Sequence, residues 1–175
     1  MLSPFRLPRV YPLTDVELTD LSLIEQVKLF GAGGASLVQL RAKHMPALRF
    51  YEEAKAATGG GVRLIVNDRV DVALAAGIKG VHLGQDDMPP DAARELLGSD
   101  AVIGYSTHNV EQAQQALTLP INYLAIGPIF ATATKSDTEP VLGLEGLRAV
   151  RRAIGNAPLV AIGGISQANA RDVID

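Results

Sequence analysis

The sequence predicts an α/β protein built on a parallel sheet, and three observations carry that prediction. Short β-branched runs alternate with longer segments that repeat apolar residues at three- and four-residue spacing, with Gly, Pro, Asn and Asp between them. The runs Tyr123-Leu124-Ala125-Ile126 and Leu159-Val160-Ala161-Ile162 are apolar at every position, as parallel strands buried on both faces are. Polar residues recur after nearly every run, and the first run ends in Leu13-Thr14-Asp15 instead of a glycine-rich phosphate turn. That distribution favours a closed barrel of strand–helix units, with its chemistry at the strand ends, over a doubly wound open sheet.

Strands are expected at 10–14, 36–42, 63–66, 80–83, 102–106, 123–126 and 159–162. Between them, the apolar spacing predicts helices over 21–30, 45–57, 70–76, 90–97, 110–117 and 144–154. Pro89 and Pro90 suit the start of the fourth of these, and Asn109 suits the N-cap of the fifth. A seventh helix, 166–175, opens with Ser166 as its cap. The repeat of roughly 20–25 residues is the size of one strand–helix unit rather than of a solenoid repeat.

The length of 175 residues suits one domain, a single barrel over 1–175. It is short for a complete (β/α)8 barrel, which takes at least about 200 residues. The expectation is therefore a barrel lacking its eighth strand and helix, roughly 30 residues, in a truncated or incomplete chain. Its end strands would then present open edges and exposed apolar surface, an aggregation hazard.

Composition narrows function. Sixteen Lys and Arg against nineteen Asp and Glu give a net charge of −3, so no global basic field holds nucleic acid or an anionic membrane. Any anion must be held locally. The absence of cysteine excludes disulfides, cysteine zinc sites, redox dithiols and a cysteine nucleophile. Pro4, Pro8 and Pro12 interrupt the first residues, and no window reaches about 18 apolar residues, so a signal peptide and a spanning helix are not expected. A soluble, cytoplasmic protein is the expectation.

Several segments carry chemistry. On a strand, Gln39, Arg41 and Lys43 share one face while Val38, Leu40 and Ala42 share the other. An amide, a guanidinium and an ammonium together suit a diphosphate or carboxylate; the alternative is an edge strand with one solvated face. Asn67-Asp68 follows the third expected strand, where Asp68 is either a ligand or a cap for the helix near Val70. Gln85-Asp86-Asp87 follows the fourth, either as a solvated turn or as a partner to Asp68. A barrel would bring Asp68 near Asp86 or Asp87, and two carboxylates with water and substrate oxygens are a usual Mg2+ arrangement. Ser106-Thr107-His108 ends the fifth strand without the Gly-x-Ser-x-Gly elbow of a serine nucleophile. His44 and His82 are expected to be bystanders. Thr132, Thr134 and Lys135, on a loop that begins at Gly127, are suited to an anion, and Gly163-Gly164 before a helix suits a phosphate or a plain turn.

Together, Tyr11-Pro12-Leu13-Thr14-Asp15, Gln39-Leu40-Arg41-Ala42-Lys43, Asn67-Asp68-Arg69-Val70-Asp71, Val81-His82-Leu83-Gly84-Gln85-Asp86-Asp87, Gly127-Pro128-Ile129-Phe130 with Thr132-Ala133-Thr134-Lys135, and Ile162-Gly163-Gly164-Ile165 resemble the thiamine phosphate synthase family, in order, from about residue 10 onward. The resemblance implies a (β/α)8 TIM barrel and a Mg2+-dependent transferase of thiamine biosynthesis. Such an enzyme joins hydroxymethylpyrimidine diphosphate to a thiazole phosphate or its carboxylated form, and releases diphosphate. It further implies that Gln39, Leu40, Arg41, Ala42 and Lys43, with Asn67, Ser106 and Lys135, bind the pyrimidine diphosphate. Asp68 and Asp87 would hold Mg2+, while Thr132, Ala133, Thr134 and Gly164 would meet the thiazole phosphate. Arg41, Lys43 and Lys135 would be the electrophiles that stabilise the departing diphosphate. Two alternatives stay open: a thiazole tautomerase of the sister family using His108, and a non-catalytic barrel that binds thiazole phosphate. Small-molecule substrates are the expected partners, nucleic acid and membranes are not, and self-association into a homo-oligomer is left open.

Overall fold

The computed structural model describes residues 5–132 and 140–174. Two compact units divide it, Met1–Ile103 and Gly104–Asp175. In the first, β1 (Leu37–Leu40), β2 (Arg63–Asn67) and β3 (Gly80–Leu83) are parallel neighbours. Their helices are α1 (Leu23–Ala32), α2 (Ala47–Ala57), α3 (Val70–Ala76) and α4 (Pro90–Leu97). The register sets Leu40 opposite Val66 and Asn67 opposite His82, so the residues just past each strand end emerge side by side. Val38, Leu40, Ile65, Val66, Val81 and Leu83 are buried with Leu23, Phe50, Ala54, Ala73 and Leu97 of the helices, which explains why these strands read as continuous apolar runs.

β4 (Val102–Thr107) begins at the end of the first unit. The second unit continues with α5 (Val110–Ala116), β5 (Tyr123–Ile126), α6 (Gly143–Ile154), β6 (Leu159–Ala161) and α7 (Ala170–Ile174). β4, β5 and β6 are parallel neighbours. Its core gathers Ala113, Ala116, Leu124, Ile126, Ile129, Val150 and Ile154. Asn109 caps α5 as expected, its side chain accepting from the Gln112 amide at 2.8 Å.

The expected (β/α)8 TIM barrel, seven strands with only the eighth strand–helix unit missing, is not what the structure holds. The sheet has six strands in chain order, β1 to β6, with no pairing of β6 back to β1 among the described residues. The run 10–14, expected as the first strand, makes one bridge, Leu13 to Gln39. Pro12 lacks the N–H that a longer ladder needs, so the contact is limited to Thr14 N–H donating to Gln39 O and Gln39 N–H donating to Pro12 O. The last helix starts at Ala170, four residues later than expected. Asn169 closes the preceding turn instead, accepting from Ser166 N–H at 2.7 Å and donating to Gly164 O at 3.0 Å. The S-x-x-E signal of a capping box, Ser22 to Glu25, starts α1 two residues later than its apolar spacing suggests.

Candidate active site

The first unit assembles an acidic pair beside two cations. β2 ends at Asn67, and the chain turns through Asp68 at φ 63°, the left-handed region that Asp and Asn tolerate best among residues with a Cβ. Asp68 N–H donates to His82 O at 2.8 Å, which ties this turn to β3. β3 ends at Leu83, and there the Asp87 carboxylate accepts from Gly84 N–H at 2.6 Å, folding the side chain back over its own turn. Asp86 is exposed. The structure thus selects Asp87 over Asp86 as the neighbour whose charge and side chain act on Asp68.

Burial, then the charge and side chain of Asp87, push the Asp68 carboxyl up to about 6; Lys43 and Arg41 pull the other way. Capping, the plainer reading of Asp68, does not describe its place, because Arg69 holds the cap position of α3 with no side-chain bond. Arg69 instead pairs with Asp71 at 2.6 Å.

The alternation expected for Gln39, Arg41 and Lys43 holds only in part, because β1 ends at Leu40. Gln39 is 3% exposed and donates to the Tyr11 hydroxyl at 3.1 Å. β1 is the terminal strand of the sheet, but the solvated face of the edge-strand alternative fails, since all four of its residues are buried. Beyond the strand, Arg41 is largely buried and Lys43 is exposed. Val38, Leu40 and Ala42 are buried as expected.

Sequence reasoning missed what holds Arg41. Its Nη1 donates to Asp15 Oδ2 at 2.6 Å, each side chain 14% exposed. Asp15 closes the first expected strand, where its neighbour Thr14, fully buried, accepts from Arg41 N–H at 3.0 Å. Leu13-Thr14-Asp15 was visible as a polar end to an apolar run, and that was the signal available.

In the second unit, Ser106 is half-buried on β4. His108 follows it, with Nδ1 at 2.7 Å from Gly127 O; a carbonyl only accepts, so Nδ1 carries the hydrogen. Gly127 precedes a cis bond to Pro128, and the segment runs beside β6, Ile129 N–H donating to Ile162 O and Phe130 N–H to Gly163 O. Gly164, at φ 64°, packs so that a Cβ would lie 2.5 Å from Ala131 O. That approach brings the chain just before Thr132 against Gly164. Ala133, Thr134 and Lys135 lie outside the described residues. His44 is exposed near Glu17, and His82 is buried on β3.

The family model described as thiamine monophosphate synthase matches residues 10–175. The chain belongs to that family. It is 46% identical to the thiamine-phosphate synthase of Koribacter versatilis, over all of this chain and 86% of that protein. It is 48% identical to that of Chloroflexus aurantiacus, over 95% of this chain and 78% of the other. Among solved structures, the thiamine phosphate pyrophosphorylase from Pyrococcus furiosus superposes with a TM-score of 0.81 at 38% identity, over 94% of this chain and 79% of that one. The resemblance read from the six motifs is therefore correct.

Proposed function

We infer that the chain is a transferase that condenses hydroxymethylpyrimidine diphosphate with a thiazole phosphate to give thiamine phosphate and diphosphate. The carrying observation is near-complete coverage at 46% identity to a thiamine-phosphate synthase, together with a paired Asp68 and Asp87 under the charges of Arg41 and Lys43. The C–O bond to diphosphate breaks with its electron pair going to the departing oxygen, and the thiazole nitrogen lone pair forms the new C–N bond. No protein nucleophile is required, in keeping with a chain without cysteine. The residues' task is to stabilise charge on the leaving diphosphate, and Arg41, Lys43 and Lys135 are assigned to it.

Asp68 and Asp87 are assigned to Mg2+. The donor set fits by its chemistry: two carboxylates supply hard oxygen ligands and leave the remaining positions to water and phosphate oxygens, as Mg2+ favours. When bound, the ion supplies charge neutralisation to the leaving diphosphate. Gln39, Leu40, Arg41, Ala42 and Lys43, with Asn67 and Ser106, are assigned to the pyrimidine diphosphate. Thr132, Ala133, Thr134 and Gly164 are assigned to the thiazole phosphate. Substrates are small molecules, and no helix among the described residues is long and apolar enough to cross a membrane.

The test is incubation of the protein with both substrates and Mg2+, assayed for thiamine phosphate and diphosphate in equal amounts. Absence of both products from a folded protein would overturn the assignment. Isomerisation of a thiazole carboxylate that needs no Mg2+ would replace it with the tautomerase reading.

A further inference from the structure

An arginine beside two carboxylates has a strong tendency to fork onto one of them, because the planar guanidinium matches a carboxylate in two parallel hydrogen bonds. Arg41 stands in that position. It follows Leu40, whose register partner Val66 stands two residues before Asp68, and its charge acts on the Asp68 carboxyl. An Arg41 closed onto Asp68 or Asp87 would neutralise the pair internally and occupy the place a cation needs.

The structure shows Arg41 held elsewhere. Its guanidinium meets Asp15 at 2.6 Å with both side chains mostly shielded from water. Asp15 is itself fixed from two sides. Its N–H donates to Gln26 Oε1 at 2.9 Å, and the Gln26 amide donates to Asp15 O at 3.4 Å and to Leu21 O at 3.0 Å. The other Asp15 oxygen accepts from Glu17 N–H at 2.9 Å. On the arginine side, Arg41 N–H donates to the buried Thr14 hydroxyl, so adjacent residues of one segment grip both the backbone and the guanidinium. Gln26 is a buried amide on α1 whose side-chain hydrogen bonds go to Asp15 and Leu21.

We propose that Asp15 is a positioning residue: it holds the Arg41 guanidinium off the Asp68–Asp87 pair, keeping that pair open to a divalent cation and the remaining guanidinium N–H groups available to a diphosphate. The proposal rests on the reading of Asp68 and Asp87 as cation ligands. Its signature is conditional, because loss of Asp15 harms cation binding only while Arg41 is present to fall onto the pair. A simple loss of negative charge would weaken cation binding whatever stands at position 41.

Calorimetric titration of Mg2+ alone into the wild type, Asp15→Asn, Arg41→Gln and the double variant separates these, with thermal unfolding to verify the fold of each. Asp15→Asn is expected to weaken Mg2+ about tenfold, and the same change in the Arg41→Gln background to alter it by less than about twofold. Asp15→Glu, which keeps the charge on a longer arm, is expected to lose about threefold, again only with Arg41 present, and carries the comparison if Asp15→Asn does not fold. Equal losses in both backgrounds, unchanged affinity in Asp15→Asn, or a wild type that binds no Mg2+ would overturn the proposal. A wild type that follows the cycle but makes no thiamine phosphate would remove the assigned function and leave the role of Asp15 standing. An active wild type indifferent to Asp15 would do the reverse.

Discussion

Asp68 concentrates the chemistry at the scale of single residues. Its left-handed backbone explains why the position admits an acidic residue with a short side chain, and that backbone together with the turn closed by Asp87 brings the carboxyls together. Replacing Asp87 by Ala should abolish Mg2+-dependent thiamine phosphate formation while the thermal transition persists; retained turnover would sink the metal assignment. The burial of Asp68 beside the Asp87 charge also makes a pH prediction. The Asp68 carboxyl titrates at about 6 in the folded chain, above the usual aspartate value of about 3.9. Its contribution to stability is therefore complete below that lower value and is lost as pH rises through about 6. Without metal, the wild type should lose stability between about pH 4 and pH 6 relative to Asp68→Asn, a substitution that the left-handed backbone tolerates. Parallel unfolding curves for the two proteins across that range would contradict the pairing. Asp68 and Asp87 were both legible in the sequence as polar ends of strands. What was not legible is that Asp87 turns back and Asp86 faces water, because a hydrogen bond to Gly84 N–H decides it.

At the scale of elements, cations close several strand–helix connections of the fold. Arg94 Nη1 reaches Gly98 O, Ser99 O and Ala101 O past the end of α4, and Arg151 Nη1 reaches Gly155 O and Ala157 O past α6. Each gathers carbonyls of the connection that leads from the helix to the next strand. Arg94→Met keeps the packed stem and removes the donors, so it should lower stability by about 1–3 kcal/mol in denaturant unfolding, with activity per folded molecule unchanged. A stability loss near zero would show that water serves these carbonyls equally well. α1 gains a long-range cap in the same spirit, Leu23 N–H donating at 2.8 Å to Glu53 of α2. Apolar spacing revealed where these helices lie. Their starts depended on local hydrogen bonds that periodicity does not carry: the Ser22–Glu25 capping box opens α1, and Asn169 closes a turn before α7.

For the molecule as a whole, the strands differ in how fully they are covered. Every residue of β1, β3 and β5 is buried, whereas Leu159, Val160 and Ala161 of β6 are only half-buried and Ile162 is exposed. Amides of β6 should therefore exchange with deuterium faster than those of β2, and protection at β6 equal to that of β2 would show that its exposed side is covered in solution. The sequence by itself determined the α/β class, the order of strands and helices from 36 onward and the family, and it offered the candidate site residues as strand-end motifs. It could do so because parallel strands demand continuous apolar runs and because site residues follow strand ends. Tertiary structure alone decided three things. The run 10–14 is a single bridge and not a full strand, since Pro12 cannot donate and ladder length depends on a partner's hydrogen bonds. Among the described residues the sheet is six parallel strands in chain order, where a barrel lacking only its eighth unit was expected, because strand pairing is settled between segments far apart in sequence. Asp15 grips Arg41 across twenty-six residues, and no local pattern encodes a contact whose partners meet only when the chain has folded.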